Sequence, residues 1–134
     1  MAENMPDAAL TLVESLGIAP ASLEQLATDP AELPALMVHT DSAPSTVRRY
    51  KSGQAVMQYA WSVYYRAAPD GSGGRVDVAS VLDGIRDAVT AAEMEMPAGC
   101  TFMRTVAPRT VSLADATDRY ETYSVEFTTE YITR

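Results

Sequence analysis

The side chains that most often carry enzyme chemistry are scarce in this sequence of 134 residues. His39 is its only histidine and Cys100 its only cysteine. A cysteine and a histidine can act as nucleophile and base, but the pair needs a third group to orient the histidine, and no motif supplies one. A lone histidine excludes a multi-histidine metal site, and a lone cysteine excludes an internal disulfide. We therefore expect Cys100, in the run Pro-Ala-Gly-Cys-Thr, to be a small apolar residue entering a strand.

Two further patterns could support chemistry, and each has a simpler interpretation. Asp83 and Asp87 are four residues apart on a predicted helix, where paired carboxylates serve acid–base catalysis if they are buried together. The apolar residues of that helix lie on its other side, so we expect Asp83 and Asp87 to lie on the face exposed to solvent. The run Pro69–Gly74 contains three glycines, but no Gly-Lys-Ser or Gly-Lys-Thr follows, so it forms no phosphate-binding loop. It predicts a flexible loop over residues 68–75. We expect no catalytic site, no metal and no cofactor, and hence a protein that is not an enzyme.

The residues that could bind a partner form three groups. The first is the only dense basic cluster, and it contains Arg and Tyr, which are common anchors of protein interfaces. Its alternative role is to protect a polar edge strand against aggregation. The second lies in the loop at 68–75, and the third ends the last strand with apolar residues on both faces, which suggests cover by another subunit. The candidate interface residues are Arg48, Arg49, Tyr50, Lys51, Asp70, Arg75, Tyr131 and Ile132.

Composition and charge limit the function further. Apolar residues make up 47% of the chain and charged residues 21%, as in an ordinary globular protein. The net charge is −8, and residues 1–41 contain seven acids and no Lys or Arg. An acidic protein lacks the excess of Lys and Arg that a nucleic-acid-binding surface needs. Nothing resembles a signal peptide or a membrane helix. We expect one soluble, unsecreted domain over residues 1–134, with an acidic helical segment at 1–32.

The basic cluster lies on a predicted β-hairpin. From 55 to 65 the odd positions are apolar or aromatic and alternate with polar residues, which predicts a strand with one buried face. Residues 51–53 suit a tight turn, and 46–50 suit the preceding arm. Residues 36–38 predict a short buried strand, and the composition of 41–46 predicts a loop.

Two helices are predicted. The first spans residues 7–16 and ends at Gly17, and 22–27 adds one or two turns. The second begins at Asp77 and runs to about Ala92, with apolar residues three and four apart. Gly84, in its middle, costs roughly 1 kcal/mol relative to Ala. A close approach of this helix to a sheet would explain that glycine.

Two more strands complete the predicted elements. Residues 101–107 are β-prone, and a second alternation runs from 119 to 131 after a polar turn at 114–118. This alternation pairs naturally with the strand at 55–65. The sequence therefore predicts an α+β fold, in which an antiparallel, four-stranded sheet has its helices on one face. The predicted order is helix, hairpin, helix, hairpin.

This arrangement resembles the minor-capsid or tail-terminator proteins of long-tailed bacteriophages and prophages. The resemblance covers most of the chain, from about Leu33 to Thr133. The features that carry it are the strand Leu33–His39, the Arg-Arg-Tyr-Lys-Ser-Gly hairpin at 48–53, the long strand Val56–Arg66, the helix from Asp77, the Pro-Ala-Gly-Cys strand entry at Pro97, and the acidic turn Asp115–Asp118 before Arg119-Tyr120-Glu121.

The resemblance implies a virion structural protein. Such proteins form a ring, typically a hexamer, that caps the tail tube, stops its polymerisation and joins the tail to the head connector. The implied partners are further copies of the chain, the major tail tube protein and the head connector or stopper protein, and DNA passes through the lumen without specific binding. The implied location is the head-proximal end of the virion tail, after assembly in the host cytoplasm. The alternatives are a head–tail joining or head-completion protein, a non-viral binding module, and a small enzyme that uses carboxylates.

Overall fold

A computed structural model of the protein describes residues 2–28, 32–67, 74–117 and 120–134. Across these ranges six strands form one mixed sheet, in the order β1-β2-β3-β6-β4, and β5 pairs with β6 beside β4. The β1–β2 pair is parallel, and every other pair is antiparallel. The elements in chain order are α1 (Met5–Ser15), β1 (Ala21–Leu23), β2 (Ala35–Arg49), β3 (Ala55–Ala67), α2 (Gly74–Ala91), β4 (Cys100–Val106), β5 (Ser112–Ala116) and β6 (Glu121–Thr133).

The predicted four-stranded antiparallel sheet in the order helix, hairpin, helix, hairpin is wrong. The sheet has six strands among the described residues and includes a parallel pair. The error comes from polar edge segments, whose composition is that of loops. Residues 41–46 belong to β2, 21–23 form β1 in place of a helical turn, and 112–116 form β5 in place of most of the polar turn. Edge strands tolerate such residues because one side of each faces no further strand.

The two long central strands confirm the alternation in the sequence. Tyr59, Trp61 and Val63 on β3 are fully buried. The predicted pairing of the two alternating strands is confirmed, since β3 and β6 form an unbroken antiparallel ladder in which Trp61 pairs with Phe127. The rings of these two residues lie 4.7 Å apart. The centre of the sheet is thus a well-packed aromatic platform.

Both helices contribute to the same hydrophobic core as the sheet. On α1 the buried residues are Met5, Ala8, Ala9, Leu12 and Val13, and Asn4 caps the helix by accepting a hydrogen bond from the N–H of Asp7. On α2 the fully buried residues are Leu82, Ile85 and Val89. The spacing of three and four residues therefore orients both helices as the sequence predicts.

The proposed reason for Gly84 is wrong. A Cβ atom added at this position would meet nothing within 4 Å, and the residue is exposed. The core-facing side of α2 lies elsewhere, at Leu82 and Ile85. Gly84 is thus not required by a close approach to the sheet.

Candidate functional site

The basic turn, defined as Arg48–Lys51, lies where β2 ends on an open edge of the sheet. Strand β1 pairs with β2 only from Leu36 to Val38. Beyond this point β2 continues to Arg49 beside β3 alone, and residues 41–50 are all exposed. Short β1 therefore leaves the second half of β2 uncovered among the described elements.

The backbone holds the basic turn in one conformation. The N–H of Tyr50 donates to the carbonyl of Gln54 at 2.8 Å, and the N–H of Gly53 donates to the carbonyl of Tyr50 at 3.1 Å. Gly53 has φ +93°, a value that L residues with a side chain rarely adopt. The side chain of Tyr50 remains 44% exposed on this rigid turn. The backbone position from which the Tyr50 side chain extends is therefore set by the chain itself before any partner binds.

The basic side chains of this turn have no acidic partner within the described part of the protein. No ion pair there involves Arg48, Arg49 or Lys51. By contrast, Arg104 lies 2.7 Å from the carboxylate of Glu130. The turn therefore presents positive charge that its own subunit does not neutralise.

The uncovered part of β2 is built in a way that resists pairing with another strand. Three register shifts interrupt its ladder with β3, after Thr40, Ser42 and Thr46. Pro44, within the second shift, has no N–H to donate. Bulges, proline and charged residues are the devices that block edge-to-edge pairing. These features agree with the protective role considered for the basic cluster, which is to prevent aggregation through an edge strand. A partner would therefore contact this edge through side chains rather than through backbone hydrogen bonds.

The other candidate residues from the sequence have different surroundings. Asp70 lies outside the described residues, and Arg75 belongs to the first turn of α2, where side chains are not described. Tyr131 is only 3% exposed, packs in the core of its own subunit, and has a pKa raised by that burial. Ile132 is half-buried in a cross-strand row with Val56 and Arg48. The structure thus brings Ile132, but not the Tyr131 side chain, towards the basic turn.

A polar cluster that sequence reasoning missed joins β1 to β2. Nδ1 of His39 lies 2.6 Å from Glu24 Oε2, and the N–H of Thr40 donates to Glu24 Oε1 at 2.8 Å. The hydrogen bond from Thr40 and the contact with His39 hold the pKa of the Glu24 carboxyl below its usual value. Glu24 has φ +58°. Because β1 ends at Leu23, the side chain of Glu24, rather than a β1 carbonyl, accepts the hydrogen bond from the N–H of Thr40 on β2. No sequence pattern links residues 15 apart on two edge segments.

The cluster does not have the arrangement of a catalytic triad. Ser62 donates to Asp41 Oδ2 at 2.5 Å, and the other oxygen of Asp41 lies 3.7 Å from His39 Nε2. The serine thus contacts the carboxylate rather than the histidine. Cys100 begins β4, and β3 and β6 separate β4 from the strand of His39, so these two residues do not form a pair. Asp83 and Asp87 are both exposed, as the helical pattern predicts.

A second surface feature is a groove of about 350 Å³ between the end of α2 and β4, here called the α2–β4 groove. Met103 lies at a register shift of β4 and is 45% exposed. At this shift two successive residues, Met103 and Arg104, are exposed. The shift leaves no mark in the sequence, so only the structure shows this surface. The groove is lined by Thr90, Ala91, Ala92, Glu93, Phe102, Met103, Arg104 and Thr105.

The described residues contain no cluster of three or more His, Cys, Asp or Glu side chains placed to bind a metal ion. Neither helix has the length and apolar character needed to cross a bilayer.

Comparisons with known proteins connect the chain to others through structure alone. No protein-family model matches it, and no curated protein is significantly similar in sequence. A chain in the virion of a native gene transfer agent (GTA) particle superposes with a TM-score of 0.61 at 10% identity, covering 90% of this chain and 84% of that one. The two chains share a fold. A second solved structure covers 91% of this chain and 86% of its own, at 18% identity and a TM-score of 0.49.

Proposed function

We propose that this chain is a structural protein of a phage-like virion. The observation that carries the proposal is the fold shared with a chain of the GTA virion over 90% of the present sequence. The resemblance of the sequence from about Leu33 to Thr133 to tail-terminator proteins supports the same class. In this role the protein works through its surfaces and assembly contacts, without catalysis, cofactor or metal.

Within that class we propose a ring, expected to be a hexamer, that caps the tail tube and ends its polymerisation. A ring needs head-to-tail contacts, in which two different patches of each subunit are buried. The basic turn and the α2–β4 groove supply two such patches on opposite edges of one sheet. The further partners of this ring are the major tail tube protein on one side and the head connector on the other.

The acidic surplus fits a ring through which DNA passes. Binding to DNA gains free energy when Lys and Arg displace counterions from phosphates, and a surface rich in acids gains none. Residues 1–41 carry seven acids and no Lys or Arg. Among them Glu3 and Glu14, at either end of α1, are exposed. We propose that DNA is not retained by this protein.

The direct test is assembly of the full chain, alone and with its tail tube protein. We expect a ring mass by analytical ultracentrifugation and, in electron micrographs, tubes that stop growing once the chain is added. The double variant Arg48→Glu/Arg49→Glu should remain folded but lose the ring. Arg109→Glu reverses the charge of another exposed arginine and should assemble normally, because the ion pair with Glu126 that it removes, at 3.7 Å, is exposed to solvent and contributes little to stability.

The outcomes separate the alternatives. Binding to filled heads with no effect on tube length would favour the head-completion role. A chain that stays monomeric at high concentration, with tubes growing unchecked, would refute the tail-terminator role and favour a binding module.

A further inference from the structure

The basic turn and the α2–β4 groove lie at the same end of the sheet but on opposite edges. One cross-strand row runs from Arg49 through Ala55 and Thr133 to Cys100. This row starts at the basic turn on β2 and ends two residues before Phe102, which lines the groove. The two surfaces are therefore level with each other, with β3 and β6 between them.

The groove and its border carry two acids, Glu93 and Glu130, and one base, Arg104. Glu93 is exposed at its rim, directly after α2. The last turn of α2 contains no basic residue to balance the partial negative charge of its terminal carbonyls. The one cation in the groove, Arg104, is already bound by Glu130, with its Nε and Nη2 atoms each 2.7 Å from the same carboxylate oxygen. A cation from outside the subunit would therefore be attracted to this site.

The basic turn has the complementary properties. Tyr50 is an exposed ring with a polar tip, and a rigid turn holds it between Arg49 and Lys51. Because the backbone of the turn is already held by hydrogen bonds, little backbone entropy is lost when the turn binds a partner. In the groove, Phe102 and Met103 provide apolar surface for the side chain of Tyr50. Glu93 lies beside them and can pair with a basic residue that flanks Tyr50.

We infer that the basic turn of one subunit binds in the α2–β4 groove of a second copy of this chain. Tyr50 packs against Met103, and Arg49 pairs with Glu93 near the end of α2. Because the two surfaces lie on opposite edges, the contact is head-to-tail. Repetition of such a contact gives a ring when the rotation between neighbouring subunits closes and an open filament when it does not, and the proposed ring is the closed case. The inference rests on the proposed ring and identifies the surfaces that form it.

Charge exchange tests the pairing. Glu93→Lys and Arg49→Glu should each weaken self-association of the full chain by roughly tenfold or more, measured by sedimentation velocity over a range of concentrations. The double variant Arg49→Glu/Glu93→Lys restores opposite charges and should recover most of the loss. Arg109→Glu makes the same change in charge as Arg49→Glu at a site outside both surfaces, and it should leave association unchanged. Circular dichroism spectra of all variants should match that of the parent.

Directed cross-linking tests the geometry. In a Cys100→Ser background, the single variants Tyr50→Cys and Ala92→Cys should form a disulfide with each other when they are mixed and oxidised. The chain that carries both substitutions should give a ladder of covalent oligomers ending at the ring. A covalent dimer as the final product would mean a closed two-fold contact and would overturn the head-to-tail inference.

Failure of the inference and failure of the proposed function give different results. Rings that form normally with Glu93→Lys and without the cross-link would overturn the inferred contact and leave the ring in place. A ladder of cross-linked oligomers with no effect on tube growth would support the contact and refute the terminator role. A parent chain that never self-associates would show that the groove does not bind a second copy.

Discussion

Replacing Thr129 with Val should destabilise the protein far more than its small change in volume suggests. Thr129 is fully buried at the centre of β6, where it accepts a hydrogen bond of 2.9 Å from the indole N–H of Trp61. Its hydroxyl also shares a hydrogen bond of 2.8 Å with that of Thr105 on β4. The Trp61 side chain is itself fully buried, so no solvent can replace a lost partner.

The expected loss follows from the groups left without partners. Valine has the shape of threonine without the hydroxyl, so the indole N–H and the Thr105 hydroxyl each lose a partner. Each buried unpaired group costs about 1 to 3 kcal/mol, and the added methyl group regains about 0.8 kcal/mol. The free energy of unfolding should therefore fall by about 3 kcal/mol. Thr105→Val keeps the bond from the indole and should cost only about 1 kcal/mol.

Urea denaturation of the parent and the two variants measures these differences. Trp61 is the only tryptophan, so its fluorescence reports directly on the site of the change. The three proteins should be compared at one concentration, because association also contributes to apparent stability. If Thr129→Val cost no more than Thr105→Val, the buried hydrogen bond from Trp61 would not stabilise the fold, and the reasoning would be wrong.

Two further changes test the helix and the edge of the sheet. Gly84→Ala should raise the free energy of unfolding by about 1 kcal/mol, because the added methyl group meets nothing within 4 Å on α2. A thermal scan should show a midpoint about 4 °C higher, and an unchanged midpoint would contradict the expected gain in helix propensity. For Glu24, whose folded-state pKa is lowered below 4.5, the ionised carboxylate stabilises the fold above pH 4.5, and this contribution is lost as the pH falls below that value. Glu24→Gln keeps an acceptor for the Thr40 N–H without titrating, so its denaturation midpoint should fall less steeply below pH 4.5 than that of the parent; parallel curves would refute the role assigned to Glu24.

The sequence predicts best where the periodicity is strong and the packing is buried. The alternation around Trp61 identified β3 and its pairing with β6, and the spacing of Leu82, Ile85 and Val89 oriented α2. Each of these elements is long, and one of its faces is buried in the core. In such elements the choice of apolar residues and the final structure depend on the same physical cause, which is burial.

The edges of the sheet could not be predicted, because their strands depend on neighbours rather than on their own residues. The segment around Pro44 has the composition of a loop and becomes a strand only because β3 pairs with it. Met103 and Arg104 are both exposed because a register shift interrupts the alternation of β4, and Glu24 reaches β2 only because β1 lies parallel to it. The basic turn was identified from its residue types, whereas the groove combines segments from α2 and β4 that no local pattern connects.

The irregular edge of β2 has a consequence for the free subunit. If the protein has the structural role proposed above, it is made in many copies and must remain separate from its neighbours at high local concentration. A long, regular edge strand would be a template for cross-β growth, which is hard to reverse. The missing N–H of Pro44 and the three register shifts prevent that growth, so subunits that meet in the wrong orientation can separate again. In the proposed ring, correct assembly would then depend on side chains that fit one another, and a wrong contact could still be reversed before the ring closes.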